Sequence, residues 1–430
     1  MAKAKTAEAA GHGQGEWRGL LALAVLVLFA ARLLWMVVVA PAPGIDFYQF
    51  WVVARAEAEG GLANPYSDEA RAQLAEAGKR KVAQQPGSLR LAGAVEYRTH
   101  IETFSTPFLY LFAGAFSSAD YDASLERFAL LRLLCLLAGV TALCRLAGCD
   151  WWLTGLWLLA MIWLSEPVRS DARVGNVNAL QLAVLAGYLG LARGPGDGRQ
   201  AAAGTVLGLL VAFKPTLGLV ALFLALDWAL RREWRRLALQ GAAAAAAALV
   251  AVAASSFYFG SARAWLDWLA ALPELERVAN VSVEIGNFSL ARLAAELGLP
   301  LPASAIVAAL TLALAACAWR GARSPAPAER AGRDLLLVGL ACAAAVVGEP
   351  LSWLHYFLLV VPLSIYLFHR LTSAAGLCVV AAASLLVLGI PMRALAPDLS
   401  SHGQAAAYLA GALVLFGLGL ADLARARAPG

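Results

Sequence analysis

Charge is what this sequence has little of. Asp, Glu, Lys and Arg make up 15% of its 430 residues and hydrophobic residues 61%, against about 25% and roughly 45–50% in ordinary soluble proteins. A soluble fold always leaves a large exterior to cover, so so apolar a chain excludes the soluble globular, disordered and fibrous classes. Cysteine is also sparse. The six cysteines lie in or at the ends of apolar segments and form no C-x-x-C, which excludes a disulfide scaffold and leaves a metal site without support. There is no clear internal repeat, which disfavours transporters built from duplicated halves. The one D-x-D triplet, Asp120-Tyr121-Asp122, reads as an exposed turn. No cleavable signal is evident: residues 1–17 are polar and basic, and the run after them is long enough to span, as in a signal anchor.

What the chain does have is long apolar runs. A spanning helix needs about 20 apolar residues. Expected spans are 18–40, 127–147, 150–165, 177–193, 236–259, 302–319, 335–349, 351–370, 373–391 and 404–424. The stretch 200–230 reads as two shorter helices meeting at Lys214-Pro215, because proline cannot continue the hydrogen-bond ladder. The sequence thus predicts an all-α polytopic membrane protein with about twelve crossings. Residues 1–17 form a cytoplasmic tail, 18–424 one transmembrane domain and 425–430 a second cytoplasmic tail. Arginine and lysine in the short loops, such as Arg231, Arg232, Arg235 and Arg236, fall on one side when crossings alternate, which places both termini in the cytoplasm. The first outer loop, 41–126, is the one large non-spanning region. Within it, 45–58 has an amphipathic pattern suited to the membrane interface. The apolar stretch 104–118 is too short to cross and reads as re-entrant or interfacial.

Polar residues in such a chain are costly and mark function by default. They gather at the outer helix ends: Asp46; Glu166, Arg169, Asp171, Arg173, Asn176 and Asn178; Lys214; Glu284, Asn287 and Ser289; and Glu349, Trp353, His355 and Tyr356. Each has a plainer explanation. Asp46 suits a helix N-cap, Lys214 a snorkelling lysine, His355 a core histidine and Arg173 a loop arginine. Their convergence from five separate loops points instead to a membrane-face active site.

These segments resemble glycosyltransferase family 87. The stretch GIDFYQFWVVARAEAEGGLANPY (44–66) is similar to the family's acid and aromatic-rich helix after the first span. GNVN (175–178), GLLVAFKPT (208–216), IGNFSL (285–290) and EPLSWLHYFLLVVPL (349–363) resemble four further family segments, in order. Two departures stand out: Ser105-Thr106-Pro107 replaces a Tyr-Pro-Pro, and a paired histidine is single here, as His355-Tyr356. The resemblance implies a GT-C architecture and inverting transfer of a sugar, expected to be mannose, from a polyprenyl-phosphate donor to a lipid or glycan hydroxyl on the outer face of a bacterial plasma membrane. It places the general base at Asp46. Lys214, Arg173 and His355 are the candidates for the donor phosphate, and Asn176, Asn178, Asn287, Trp353, Tyr356, Tyr48 and Gln49 for the sugar or acceptor. A monophosphate leaving group offset by Lys and Arg does not demand a divalent ion, so no metal or other cofactor is expected. Nor is a nucleic-acid partner, and the protein is expected to act as a monomer among membrane lipids. A transporter or lipid flippase is the alternative reading, and a lipid-linked glycan ligase a third.

Overall fold

The computed structural model describes residues 42–62, 64–278, 281–321, 330–390 and 398–425, together with isolated positions 24, 28, 31, 392 and 396. The expected tail 1–17, most of the expected first span 18–40 and residues 426–430 lie outside them. Every regular element among the described residues is helical. Among the described residues from 42 on, four helices precede the long helix at Tyr121: α1 (Ile45–Ala58), α2 (Asp68–Gln84), α3 (Leu89–Tyr97) and α4 (Pro107–Gly114). Then come α5 (Tyr121–Ala147), α6 (Trp151–Leu159, continued by a π turn at Ala160–Leu164), α7 (Glu166–Val174), α8 (Asn178–Ala192) and α9 (Asp197–Phe213). A 3-10 turn at Pro215–Leu217 leads into α10 (Gly218–Leu230), followed by α11 (Trp234–Tyr258), α12 (Ala264–Val278), α13 (Leu290–Glu296), α14 (Ala303–Gly321) and α15 (Arg330–Gly348). A 3-10 segment, Leu354–Val360, precedes α16 (Val361–Arg370), and α17 (Ala374–Leu388) and α18 (Ser401–Ala424) complete the chain.

The boundaries have local causes. Asp120 caps α5 by accepting from Ala123 N, and Gly148 ends it in the left-handed conformation. Ser165 caps α7 with Pro167 in its first turn, and Gly175 terminates it. Helix α9 stops at Lys214, whose extended backbone (φ −143°) is what a following proline imposes. The chain therefore does break into two helices at Lys214-Pro215. Among the described residues four helices, α5, α11, α14 and α18, are long and apolar enough to cross a membrane by themselves. A fifth crossing is reached if α7 and α8, bent by 115°, count as one. Shorter apolar helical stretches run over Trp151–Leu164, Pro215–Leu230, Leu354–Arg370 and Ala374–Leu388.

Two apolar cores result. The larger fills the bundle of α5–α11 and α13–α18. The smaller joins α1–α4 and α12 to the start of α5, around Trp51, Tyr110 and Tyr121. Helix α1 departs from the interfacial expectation: residues 47–54 are all buried. It is the central strut of this second core, with Phe47 stacked on Phe128 at 4.7 Å and Trp51 edge-on to Tyr121 at 5.2 Å. Helix α4 has eight residues, or about 12 Å of rise, against roughly 30 Å of hydrocarbon, so it does not cross. It packs on α1 and α11.

Ion pairs tie the helices together at one end of the bundle. Arg333 grips Asp227 through Nη2 at 2.6 Å, and Arg236 reaches Asp334 at 2.5 Å. Arg370 lies 3.7 Å from Asp422. The two cores meet at the opposite end of the same helices, where α9 gives way to Lys214 and α15 to Glu349.

Candidate active site

Asp46 lies in the first turn of α1, yet it does not cap that helix. The N-cap position belongs to Gly44, in the left-handed conformation (φ 65°, ψ 49°), and no side chain bonds there. The carboxylate of Asp46 is thereby free to turn into a cavity of about 520 Å³ between the two cores. Oδ2 accepts from Asn176 Nδ2 at 2.7 Å and Oδ1 from Arg98 Nη2 at 2.8 Å. His355 Nε2 lies 3.8 Å from Oδ2 and has no hydrogen-bond partner among the described residues.

The loop after α7 presents Asn176. Gly175 occupies the left-handed region (φ 75°), and a Cβ there would sit 2.7 Å from Phe47 Cβ. Only a glycine permits this approach of loop to helix. Gly44 N donates to Arg173 O at 3.3 Å, adding a backbone tie across the same contact. Behind it, Arg132 donates to Asp171 O at 2.6 Å and Asn178 Nδ2 to Asp171 Oδ1 at 3.1 Å, so α7 is anchored to α5 and α8.

Lys214 enters from the break between α9 and α10. Its Nζ lies 4.9 Å above the Tyr356 ring and 3.4 Å from its hydroxyl. Burial disfavours the ammonium, but Tyr356 and Glu349 more than offset that loss, and the pKa lies above the ordinary lysine value. Burial raises the pKa of Glu349, against the pull of Lys214 and Thr216. Thr106 closes the wall from the Ser105-Thr106-Pro107 segment: it caps α4 at Leu109 N and donates to Phe213 O at 3.2 Å.

The expected site residues divide into three groups. Asp46, Gln49, Asn176, Lys214, Trp353 and Tyr356 line the cavity, and His355 abuts it through Asp46. Asn178 and Asn287 are fully buried and bond within the chain. Asn287 Oδ1 accepts from Ser289 N and Ser352 N, both at 3.1 Å, stitching two loops behind the wall. Tyr48, also fully buried, packs into the second core against Gly78. Arg173 is exposed and pairs with no acid among the described residues, and it is absent from the cavity wall. Sequence reasoning missed Arg98 and Glu102. They come from a stretch without helical periodicity or a family motif, and only the packing of α1 on α3 brings them to Asp46.

A second cavity, of about 750 Å³, opens among α10, α13, α14 and α15 and shares Pro215, Thr216, Glu349 and Pro350 with the first.

The arrangement offers a carboxylate, an ammonium and aromatic faces around one space of ligand size. Comparison with known proteins gives this chemistry a family. No curated protein and no solved structure matches the chain. The family model of glycosyltransferase family 87 does, over residues 105–350. That interval covers Thr106, Asn176, Lys214 and Glu349 of the cavity wall, and more than half of the 430 residues, so the chain belongs to glycosyltransferase family 87.

Proposed function

We propose that this glycosyltransferase transfers a sugar, mannose in the first instance, from a polyprenyl-phosphate donor to a hydroxyl of a lipid or glycan acceptor, with inversion at the anomeric carbon. Asp46 takes the proton of the acceptor hydroxyl as its oxygen attacks. The bond from the anomeric carbon to the donor phosphate breaks, and a polyprenyl monophosphate leaves. General base catalysis of this kind contributes about 10²–10⁴-fold. Lys214 faces the charge that develops on the leaving phosphate, as a fixed cation in a dry site should. It takes the place that a divalent ion fills elsewhere, so the reaction is proposed to be metal-independent. Trp353 and Tyr356 supply faces on which a sugar stacks. Asn176 and His355 orient the base.

One observation carries the reading: the carboxylate of Asp46 and the ammonium of Lys214 line the same cavity, in a family member. The outer-face placement draws support from the arginine-rich helix ends, which lie opposite the site and by the positive-inside rule would face the cytoplasm of a bacterial inner membrane. Family membership sets aside the transporter reading. The test is transfer of labelled mannose from polyprenyl-phosphate mannose to a panel of lipid acceptors by purified protein. Asp46→Asn should lower turnover by about 10²-fold or more at unchanged detergent stability. Wild-type turnover in that variant would overturn the base assignment, and failure of every sugar donor would overturn the donor class.

A further inference from the structure

Arg98 has no role in the mechanism above, yet it touches the residue on which that mechanism turns. It follows α3, and its guanidinium reaches into the cavity beside Asp46, Gln49 and Glu102. Nη2 donates to Asp46 Oδ1 at 2.8 Å and Nη1 to Glu102 Oε2 at 3.2 Å. With the Gln49 amide turned so that both its groups are satisfied, Gln49 Oε1 accepts from Nη2 and Nε at 3.0 Å. Asp46 is therefore held by a donor on each oxygen, Arg98 on one and Asn176 on the other. A proton arriving at Oδ1 thus meets a guanidinium already bonded there.

The charges lining the cavity give a second reason to look at Arg98. They are Asp46, Glu102 and Glu349 against Arg98 and Lys214, an excess of one negative charge before any substrate enters. A phosphate adds to that excess, and Lys214 already faces Glu349. A planar guanidinium also matches phosphate geometry through two parallel N–H donors, which a lysine cannot do.

We propose that Arg98 is a phosphate ligand parked on the base. Its Nη2 rests on Asp46. When the donor phosphate enters, the guanidinium passes from Asp46 to the phosphate while Glu102 keeps hold of Nη1. The carboxylate is released to accept the acceptor proton only once a donor is in place. Donor binding thereby switches on the base, and water in an empty site meets a masked aspartate. The direction of the exchange follows from differential interaction: phosphate and Asp46 compete for one guanidinium, so each weakens the other's hold on it. This inference rests on the proposed phosphate-bearing donor and on Asp46 as base.

The test is a double-mutant cycle on binding of farnesyl phosphate, measured by calorimetry on the detergent-purified full chain. Arg98→Ala should weaken binding by about 10-fold or more, the usual worth of a charged hydrogen bond. Asp46→Asn should tighten it by about three- to tenfold, because the guanidinium no longer has a competing carboxylate. In the Arg98→Ala background Asp46→Asn should change affinity by less than about twofold. Equal tightening in both backgrounds would mean simple charge repulsion by Asp46 and would overturn the exchange, as would unchanged affinity in Arg98→Ala. Should Arg98→Ala fail to fold, Arg98→Lys serves instead: it keeps the charge and loses the fork, and the coupling to Asp46→Asn should shrink. Transfer activity of Asp46→Asn separates the two ideas. Activity there overturns the base while the binding cycle still reports on Arg98.

Discussion

The amide of Asn176 donates to Oδ2 of Asp46 at 2.7 Å, joining residues 130 positions apart. Its own Oδ1 accepts from Val177 N at 2.7 Å, so the amide orientation is fixed and one face of the carboxylate with it. Asn176→Ala should lower kcat by about 10–100-fold, the cost of a lost charged hydrogen bond at the base. Donor and acceptor KM should stay within about twofold, since the residue orients the base and leaves uniform binding alone. Steady-state kinetics with each substrate varied decides it. A large KM change with constant kcat would return Asn176 to the sugar.

Gly175 permits that bond. Gly175→Ala should cost roughly 1–2 kcal/mol for a left-handed alanine alone, before the contact with Phe47 is counted. A lower thermal midpoint together with a kcat loss at least as large as that of Asn176→Ala is the expected pair. A midpoint fall with kcat intact would separate the fold from the site.

Lys214→Ala should raise donor KM by about tenfold or more while acceptor KM moves little, and Lys214→Arg should recover part of the loss. Equal effects on both substrates would count against a phosphate role.

The opposite end of the bundle tests stability without chemistry. Asp227 is nearly inaccessible and lies between Arg333 and Arg231. Asp227→Ala removes the carboxylate that Arg333 grips, while Arg231 keeps Glu233, and should cost about 3–5 kcal/mol. Asp227→Leu combined with Arg333→Met should recover most of it. Thermal unfolding in detergent reads the stability, and KM for both substrates should be unchanged in any variant that folds.

The helical class and most element positions were legible because apolar runs, caps and prolines act locally. Lys214-Pro215 announced the break at α9. The family motifs led to Asp46, Asn176, Lys214, Trp353 and Tyr356. The roles of neighbours were less legible, since residue type says nothing about what a side chain meets. Asn178 and Asn287 carry the same amide as Asn176, yet packing turned them toward Asp171 and Pro350. Helix α1 shows the same limit: its polar stripe suggested an interface, and residues that arrive from α3, α4 and α5 bury it. Arg98 was invisible because its partner lies 52 positions away.

The contact of Gly44 with the Arg173–Gly175 loop fixes the Asp46 carboxylate to the bundle. A helix adapts to bilayers of different thickness by tilting. Because Asp46 is pinned from the α7–α8 side to the bundle that carries Lys214, tilting of that bundle as a body would not move the two groups apart. The spacing of carboxylate and ammonium is thus a property of the bundle itself, and activity should vary little with lipid chain length.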